Sequence, residues 1–205
     1  MTNPFNHERH LIPKSMVLEA LEEHLFAIDW LLRYKKIDPS IWNNANGGTL
    51  GYPAALLLFT IVDTIGSYYR KSDLKLEITV DGTKRAIDEE GYKHFLILNS
   101  HYFNLSLSAF EIQNLYNMAR SKLVHNSVIG GEITLTPLDS IPFVVVQPSS
   151  GKGKYEVHLS GFLSCCKHAV KLFSEQADEI FAATKLGKGF PRMNGKSRNS
   201  GSSKQ

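Results

Sequence analysis

An arginine and a histidine in the middle of the chain are the side chains best suited to chemistry. Arg120 precedes His125 by five residues, and Asn126 follows the histidine directly. Arginine stays charged and holds phosphate through a planar fork of donors. Histidine titrates near neutral pH, so it can accept or donate a proton. Together these residue types form a minimal set of groups for handling phosphate esters.

A long helix is predicted to position both residues. Its apolar residues recur at a 3-4-4 spacing and form one stripe, which consists of Ile112, Leu115, Ala119 and Leu123. Ser106 or Ser108 is suited to cap the start of this helix, and the helix is predicted to run through Asn126. Arg120 borders the apolar stripe, which is where a partly buried functional arginine is expected.

The spacing does not bring Arg120 and His125 together on a straight helix, because five residues rotate by roughly 140°. Residues four apart do share a face, so Tyr116 lies beside Arg120 and Ser121 beside His125. The two side chains converge if the helix changes geometry near Asn126, if the arginine stem reaches across, or if two protomers build the site. An equally open interpretation is a surface arginine and a helix-terminal histidine favoured by the helix dipole.

Asp63 is a further candidate, since it directly follows the apolar run Ala54 to Val62. A carboxylate is costly to bury without a partner. One hypothesis pairs Asp63 with Arg120 and lets it orient the guanidinium. The alternative, held equally, is an aspartate that is hydrogen-bonded elsewhere or exposed at the helix edge. His94 is too isolated in the sequence to indicate a metal site, and no set of metal ligands is predicted.

The chain resembles the HEPN superfamily of small helical domains. The resemblance lies in an Arg-x4-His motif followed by asparagine, which is placed on a late helix after two earlier helices. The resemblance covers mainly Ser15 to Asn126, together with the last helix. It implies a ribonuclease site at Arg120 and His125 that needs no metal or cofactor and is completed across a homodimer. It further implies a toxin or defence protein, with RNA and an antitoxin or nucleotidyltransferase-like protein as candidate partners.

The resemblance also implies a role for each site residue. The ribose 2′-hydroxyl would attack the adjacent phosphate, His125 would transfer the proton, and Arg120 would stabilise the developing charge. Asn126 would fix the histidine ring or contact phosphate, with Tyr116, Ser121 and Asp63 in supporting positions.

Ser121 departs from the Asn, Asp or His that often follows the arginine in this family. This departure favours an alternative function, a non-catalytic HEPN-like module that binds RNA, a nucleotide or a protein partner. A third interpretation is a helical scaffold whose dimer face holds the arginine and the histidine.

The composition predicts an ordinary globular protein in the cytoplasm. Of its 205 residues, 42% are hydrophobic and 21% charged, which is typical of soluble domains. The longest apolar run, Tyr52 to Val62, is too short to span a bilayer, and the N-terminus lacks the apolar core of a signal peptide. Cys165 and Cys166 are adjacent, so they give no disulfide framework, which favours a reducing compartment.

The net charge of +3 is unevenly distributed. Residues 185–205 contain six basic residues and no acidic ones, so 17 basic and 20 acidic residues remain in residues 1–184, a net of −3. The body of the protein therefore lacks a general surplus of cations for long phosphate tracts, although a local basic patch is compatible with this balance.

The predicted fold is mainly α: a HEPN-like helical bundle with a small antiparallel β hairpin or meander before the last helix. Residues 1–14 are predicted to form a flexible arm, 15–184 a single domain with a β insertion at about 132–159, and 185–205 a disordered basic tail. The other predicted elements are helices over Val17–Lys36, Pro53–Arg70, Glu90–Asn99 and Gly161–Thr184, and a hairpin turning at Asp81-Gly82. Gly66, within the second of these helices, indicates a close approach between two helices.

Overall fold

The computed structural model describes residues 13–42, 47–70, 74, 76–87, 91–146, 154–184 and 186. Residues 1–12 of the predicted arm, and all of the predicted tail except Leu186, lie outside the described residues. The prediction for the end of the arm was wrong, because Pro13 and Lys14 already belong to the first helix. Lys14 pairs there with Asp178, which ties the start of this helix to the end of the domain.

The described chain is mainly helical, with two small sheets. In chain order, its elements are α1 (Pro13–Arg33), α2 (Gly51–Tyr68), β1 (Ile78–Val80), β2 (Thr83–Arg85), a 3₁₀ helix (Gly91–Asn99), α3 (Ala109–Leu115), a π segment (Tyr116–Ser121), α4 (Lys122–Asn126), β3 (Ile133–Thr136), β4 (Val144–Val146), β5 (Tyr155–His158), α5 (Leu159–Glu175) and α6 (Ala177–Ala183). Among the described helices, none has the length and apolar character that crossing a bilayer would require.

Helix α2 is the centre of the fold, as its nearly continuous apolar sequence predicts. It packs against α1, α5 and the 3₁₀ helix. Its Phe59 ring stacks on Phe95 of the 3₁₀ helix and meets Phe162 of α5 edge-on. Gly66 confirms the predicted close approach of a second helix, since a Cβ at this position would lie 2.2 Å from the backbone oxygen of His94.

The predicted hairpin is confirmed between β1 and β2. The two strands pair antiparallel, with Val80 opposite Thr83. The intervening Asp81 and Gly82 have φ values of +51° and +71°. Two successive residues with positive φ form the type of turn that matches the twist of a two-residue hairpin.

The antiparallel hairpin predicted before the last helix is confirmed for β4 and β5, which are consecutive in the chain, whereas the alternative of a meander was wrong because β3 does not pair with β4. The strand order is β3-β5-β4, with β3 parallel and β4 antiparallel to β5. The connection from β3 to β4 passes the start of α5, where the Ser160 N–H donates to the Leu138 oxygen at 3.1 Å. Phe143 then stacks on Phe162 of α5, with ring centroids 3.8 Å apart. With these contacts, β4 pairs with the edge of β5 opposite to the one that pairs with β3.

The final helix is also divided where the sequence predicts one continuous element. Helix α5 ends at Glu175, and α6 begins at Ala177. The intervening Gln176 is held by its side chain, whose oxygen accepts a hydrogen bond from the Tyr102 hydroxyl. Ala177 and Ile180 are buried after this break, so α6 remains packed on the core.

Candidate functional site

The long helix begins with the predicted cap at Ser108. The Ser108 hydroxyl accepts from the Glu111 N–H at 3.2 Å, and the Glu111 carboxylate accepts from the Ser108 N–H at 2.7 Å. This reciprocal pair is a capping box, which satisfies two backbone donors at the helix start. The predicted apolar stripe is buried along the full helix: Ile112, Leu115, Ala119 and Leu123.

The middle of this helix is not α-helical, which the sequence did not predict. Tyr116 to Ser121 form a π segment between α3 and α4. Such i→i+5 turns are rare and often mark functional sites. The carbonyl of Met118, within this segment, accepts a hydrogen bond from the Gly130 N–H at 2.8 Å. The chain beyond α4 therefore folds back onto the π segment and supports it.

Arg120 lies in the last turn of this segment and forms an ion pair with Asp63 of α2. The Arg120 Nη2 atom donates to Oδ2 of Asp63 at 2.7 Å, and the side chains are 23% and 24% exposed. Of the two hypotheses for Asp63, the structure contains the pairing with Arg120. The guanidinium also lies 5.4 Å from the centroid of the Tyr116 ring, within range of a cation–π contact.

His94 is a member of this cluster that the sequence analysis missed. Its Nε2 atom contacts the second carboxylate oxygen of Asp63, and its Nδ1 atom lies 3.2 Å from the Gly91 carbonyl oxygen. The imidazole is 3% exposed. Both ring nitrogens lie against oxygen atoms of the protein. His94 therefore has no nitrogen left for a substrate, and we infer that it positions Asp63.

A signal for His94 was present in the sequence, although the structure was needed to interpret it. The histidine precedes the apolar run Phe95–Leu98 and is itself buried with those residues. Its ring also meets Tyr116 edge-on, with centroids 5.6 Å apart. A buried histidine requires hydrogen-bond partners, and the close approach at Gly66 brings the 3₁₀ helix to the helix that carries Asp63.

The electrostatics of the cluster favour the ionised form of Asp63. Burial by itself would raise the pKa of this carboxyl. The hydrogen bonds and charges of His94 and Arg120 outweigh that effect, so the pKa of Asp63 lies below its ordinary value of 3.8. A carboxyl whose pKa is lower in the folded than in the unfolded state stabilises the fold at pH values above its ordinary, unfolded-state pKa. That stability is lost as the pH falls through the lowered value.

Asp63→Asn should lower the free energy of unfolding by about 1–3 kcal/mol at pH 7, because it removes the carboxylate charge that pairs with Arg120 and contacts His94. The difference from the wild type should shrink as the pH falls below about 4, where the carboxyl of the unfolded chain becomes protonated, and should be lost once the pH passes below the lowered pKa of the folded form. Urea denaturation at several pH values measures both effects. Asp139→Asn, at an exposed position, is the matched control. A stability difference that stays constant from pH 7 to pH 2 would contradict this electrostatic account.

His125 and Asn126 lie apart from this cluster, exposed at the end of α4. The helix ends there because Ser127 adopts a left-handed conformation with φ of +56°, and its N–H donates to the Leu123 oxygen at 3.1 Å. Ser121 is partly buried at the end of the π segment. Within the described part of the chain, no hydrogen bond or ring contact joins His125 to Arg120.

The site thus consists of an anchored cation and, one turn further along the helix, an exposed histidine. Groups of three or more potential metal ligands do not occur among the described residues. No family model, curated protein or solved structure matches the chain.

Proposed function

We propose that this protein is a metal-independent endoribonuclease of the HEPN type, acting in the cytoplasm as a toxin or defence factor. The observation that carries the proposal is the anchoring of Arg120 by Asp63 and Tyr116, next to a helix end that exposes His125. An anchored guanidinium is a preorganised phosphate ligand, and an exposed imidazole is open to proton transfer.

The ion pair leaves Arg120 able to bind a phosphate. A guanidinium has five N–H donors, and the bond to Asp63 is made through Nη2. The remaining donors would hold the phosphoryl oxygens while the ribose 2′-hydroxyl attacks the phosphorus. His125 would take the proton from this hydroxyl or give one to the leaving 5′-oxygen, and Asn126 would orient the imidazole or contact the phosphate.

A second candidate function is a non-catalytic HEPN-like module. The observation that favours it is the direct contact of Asp63 with Arg120, because the carboxylate neutralises much of the charge available for a transition state. Such a module would bind RNA, a nucleotide, or a protein partner such as an antitoxin or a nucleotidyltransferase-like protein. Ser121, where the family often has Asn, Asp or His, also favours this candidate.

We expect a symmetric dimer through the region of α2 and the long helix, since Arg120 and His125 make no direct contact within one chain. Three exposed apolar side chains of the long helix and the turn after it support this expectation. Phe110, Val124 and Val128 are 69%, 47% and 49% exposed in the single chain. Light scattering at micromolar concentration should give twice the mass of one chain. A monomer at that concentration would count against a site shared by two protomers.

The function is tested by incubating the purified protein with structured and unstructured RNAs in the presence of a chelator. Cleavage by the wild type, and its loss in Arg120→Lys, would support the ribonuclease. Lysine keeps the charge but cannot reproduce the bidentate contact with phosphate. Chelator-resistant RNA binding without cleavage would favour the non-catalytic module.

A further inference from the structure

A cavity of about 390 Å³ lies between the start of α2, strand β3 and the turn that follows α4. Its volume is in the range of small-molecule sites, which typically measure about 300–1,000 Å³. The residues that define its chemistry are Lys36, Thr49, Tyr52, Ile129, Leu135 and Leu159. The described part of its wall includes one cation and no aspartate or glutamate, so the cavity favours an anionic ligand.

Lys36 is the positively charged residue of the described cavity wall. Its backbone N–H donates to the Gly48 oxygen at 3.1 Å, and its carbonyl accepts from the Gly47 N–H at 2.9 Å. These two bonds fix the lysine beside the start of α2. The ammonium lies 5.4 Å from the centroid of the Trp42 ring and has no carboxylate partner among the described residues.

The backbone at the start of α2 adds to this positive rim. Leu50, at the cap position, provides no side-chain hydrogen bond. The N–H groups of Gly51 and Tyr52, both in the cavity wall, have no acceptor within the helix because they lie in its first turn. A bound phosphate would therefore meet the Lys36 ammonium together with two backbone donors.

The remainder of the cavity suits a flat, largely apolar group with a polar edge. Ile129, Leu135 and Leu159 form an apolar floor, and the Tyr52 ring at the wall is 50% exposed. Thr49, also in the cavity wall, adds a side-chain hydroxyl that can donate or accept a hydrogen bond at the edge of such a group. Nucleic acid bases have apolar faces and hydrogen-bonding edges, and they stack on aromatic rings.

We propose that this cavity binds one nucleotide of an RNA strand, with the phosphate at Lys36 and the base against Tyr52 and the apolar floor. The inference rests on the proposed function in one respect, namely that the strand bound here is the substrate. Ile129 of the cavity lies four residues beyond His125, and the adjoining Gly130 is bonded to the π segment. The cavity would thus hold a nucleotide near the helix end that carries His125.

Fluorescence of Trp42 tests this proposal without depending on cleavage. The chain has two tryptophans, so Trp30→Phe, a change at a 55% exposed position, leaves Trp42 as the reporter beside Lys36. Uridine and adenosine monophosphates should change its emission saturably, and a short RNA should compete with them. The His125→Ala variant should bind equally well, so a failure of catalysis would be distinguishable from a failure of this site.

Two pairs of variants locate the ligand within the cavity. Lys36→Gln should weaken binding about tenfold, the loss expected for one charge-assisted contact, whereas Lys35→Gln, at the exposed neighbouring lysine, should not. Tyr52→Ala should also weaken binding about tenfold through lost stacking, whereas Tyr52→Phe should preserve it. Absence of monophosphate binding, equal binding by Lys36→Gln and Lys35→Gln, or failure of RNA to compete would each overturn the proposal.

Discussion

Gly66→Ala should destabilise the protein by about 1–3 kcal/mol, the range typical of overpacking a well-filled interior. The added Cβ would lie 2.2 Å from the His94 backbone oxygen and 3.1 Å from its carbonyl carbon. Both are backbone atoms, so relief requires the 3₁₀ helix to move away from α2. Inside a helix, replacing glycine by alanine ordinarily stabilises a protein by about 0.5–1 kcal/mol. A loss of stability at Gly66 would therefore itself indicate close contact with the 3₁₀ helix.

Gly51→Ala, in the first turn of the same helix, is the matched control. Its Cβ would meet the Leu159 and Leu135 side chains at 3.5 and 3.9 Å, which are ordinary contact distances. We expect Gly51→Ala to be nearly neutral in a denaturant titration. A Gly66→Ala protein as stable as the wild type would contradict the close approach of the two helices, and with it the position of His94 against Asp63.

His125→Ala should reduce RNA cleavage by about 10²–10⁴-fold, the usual cost of losing a general acid or base. The fold should survive, because His125 is exposed at a helix end and adds little to the core. Initial cleavage rates at saturating RNA, with circular dichroism to verify folding, measure the effect. His168→Ala, at an exposed position on α5, is the matched histidine control and should cleave normally. A folded His125→Ala protein with the wild-type rate would remove His125 from the mechanism.

Patterns that are local in the sequence predicted much of the fold. The Asp81-Gly82 turn, the cap at Ser108 and the buried stripe of the long helix each depend on residues within a few positions of one another. The close packing at Gly66 was also predicted, since a glycine within an apolar helix indicates the approach of a neighbouring backbone.

Features that depend on distant contacts could not be predicted in this way. His94 meets Asp63 across 31 positions of sequence, so its role follows from the packing of two helices rather than from spacing. The π segment is supported by Gly130, beyond the end of the helix. The order of β3, β4 and β5 depends on the connection that crosses the start of α5, which alternation of apolar residues does not encode.

The proposed ion pair at Asp63 lies between these cases. An aspartate directly after an apolar run signals that a partner is needed, but it does not identify the partner. The structure supplies Arg120 at 2.7 Å.

The central claim is that the 2′-hydroxyl of the substrate attacks its own phosphate, with Arg120 and His125 as the catalytic groups. Its most direct test is cleavage of an RNA oligonucleotide that carries a single 2′-deoxy residue at the mapped cut site, with chelator present. Wild-type protein should cut the all-ribose strand at that bond and leave the substituted bond intact, because hydrogen cannot replace the attacking oxygen. Cleavage of the substituted bond at the same rate would contradict the mechanism.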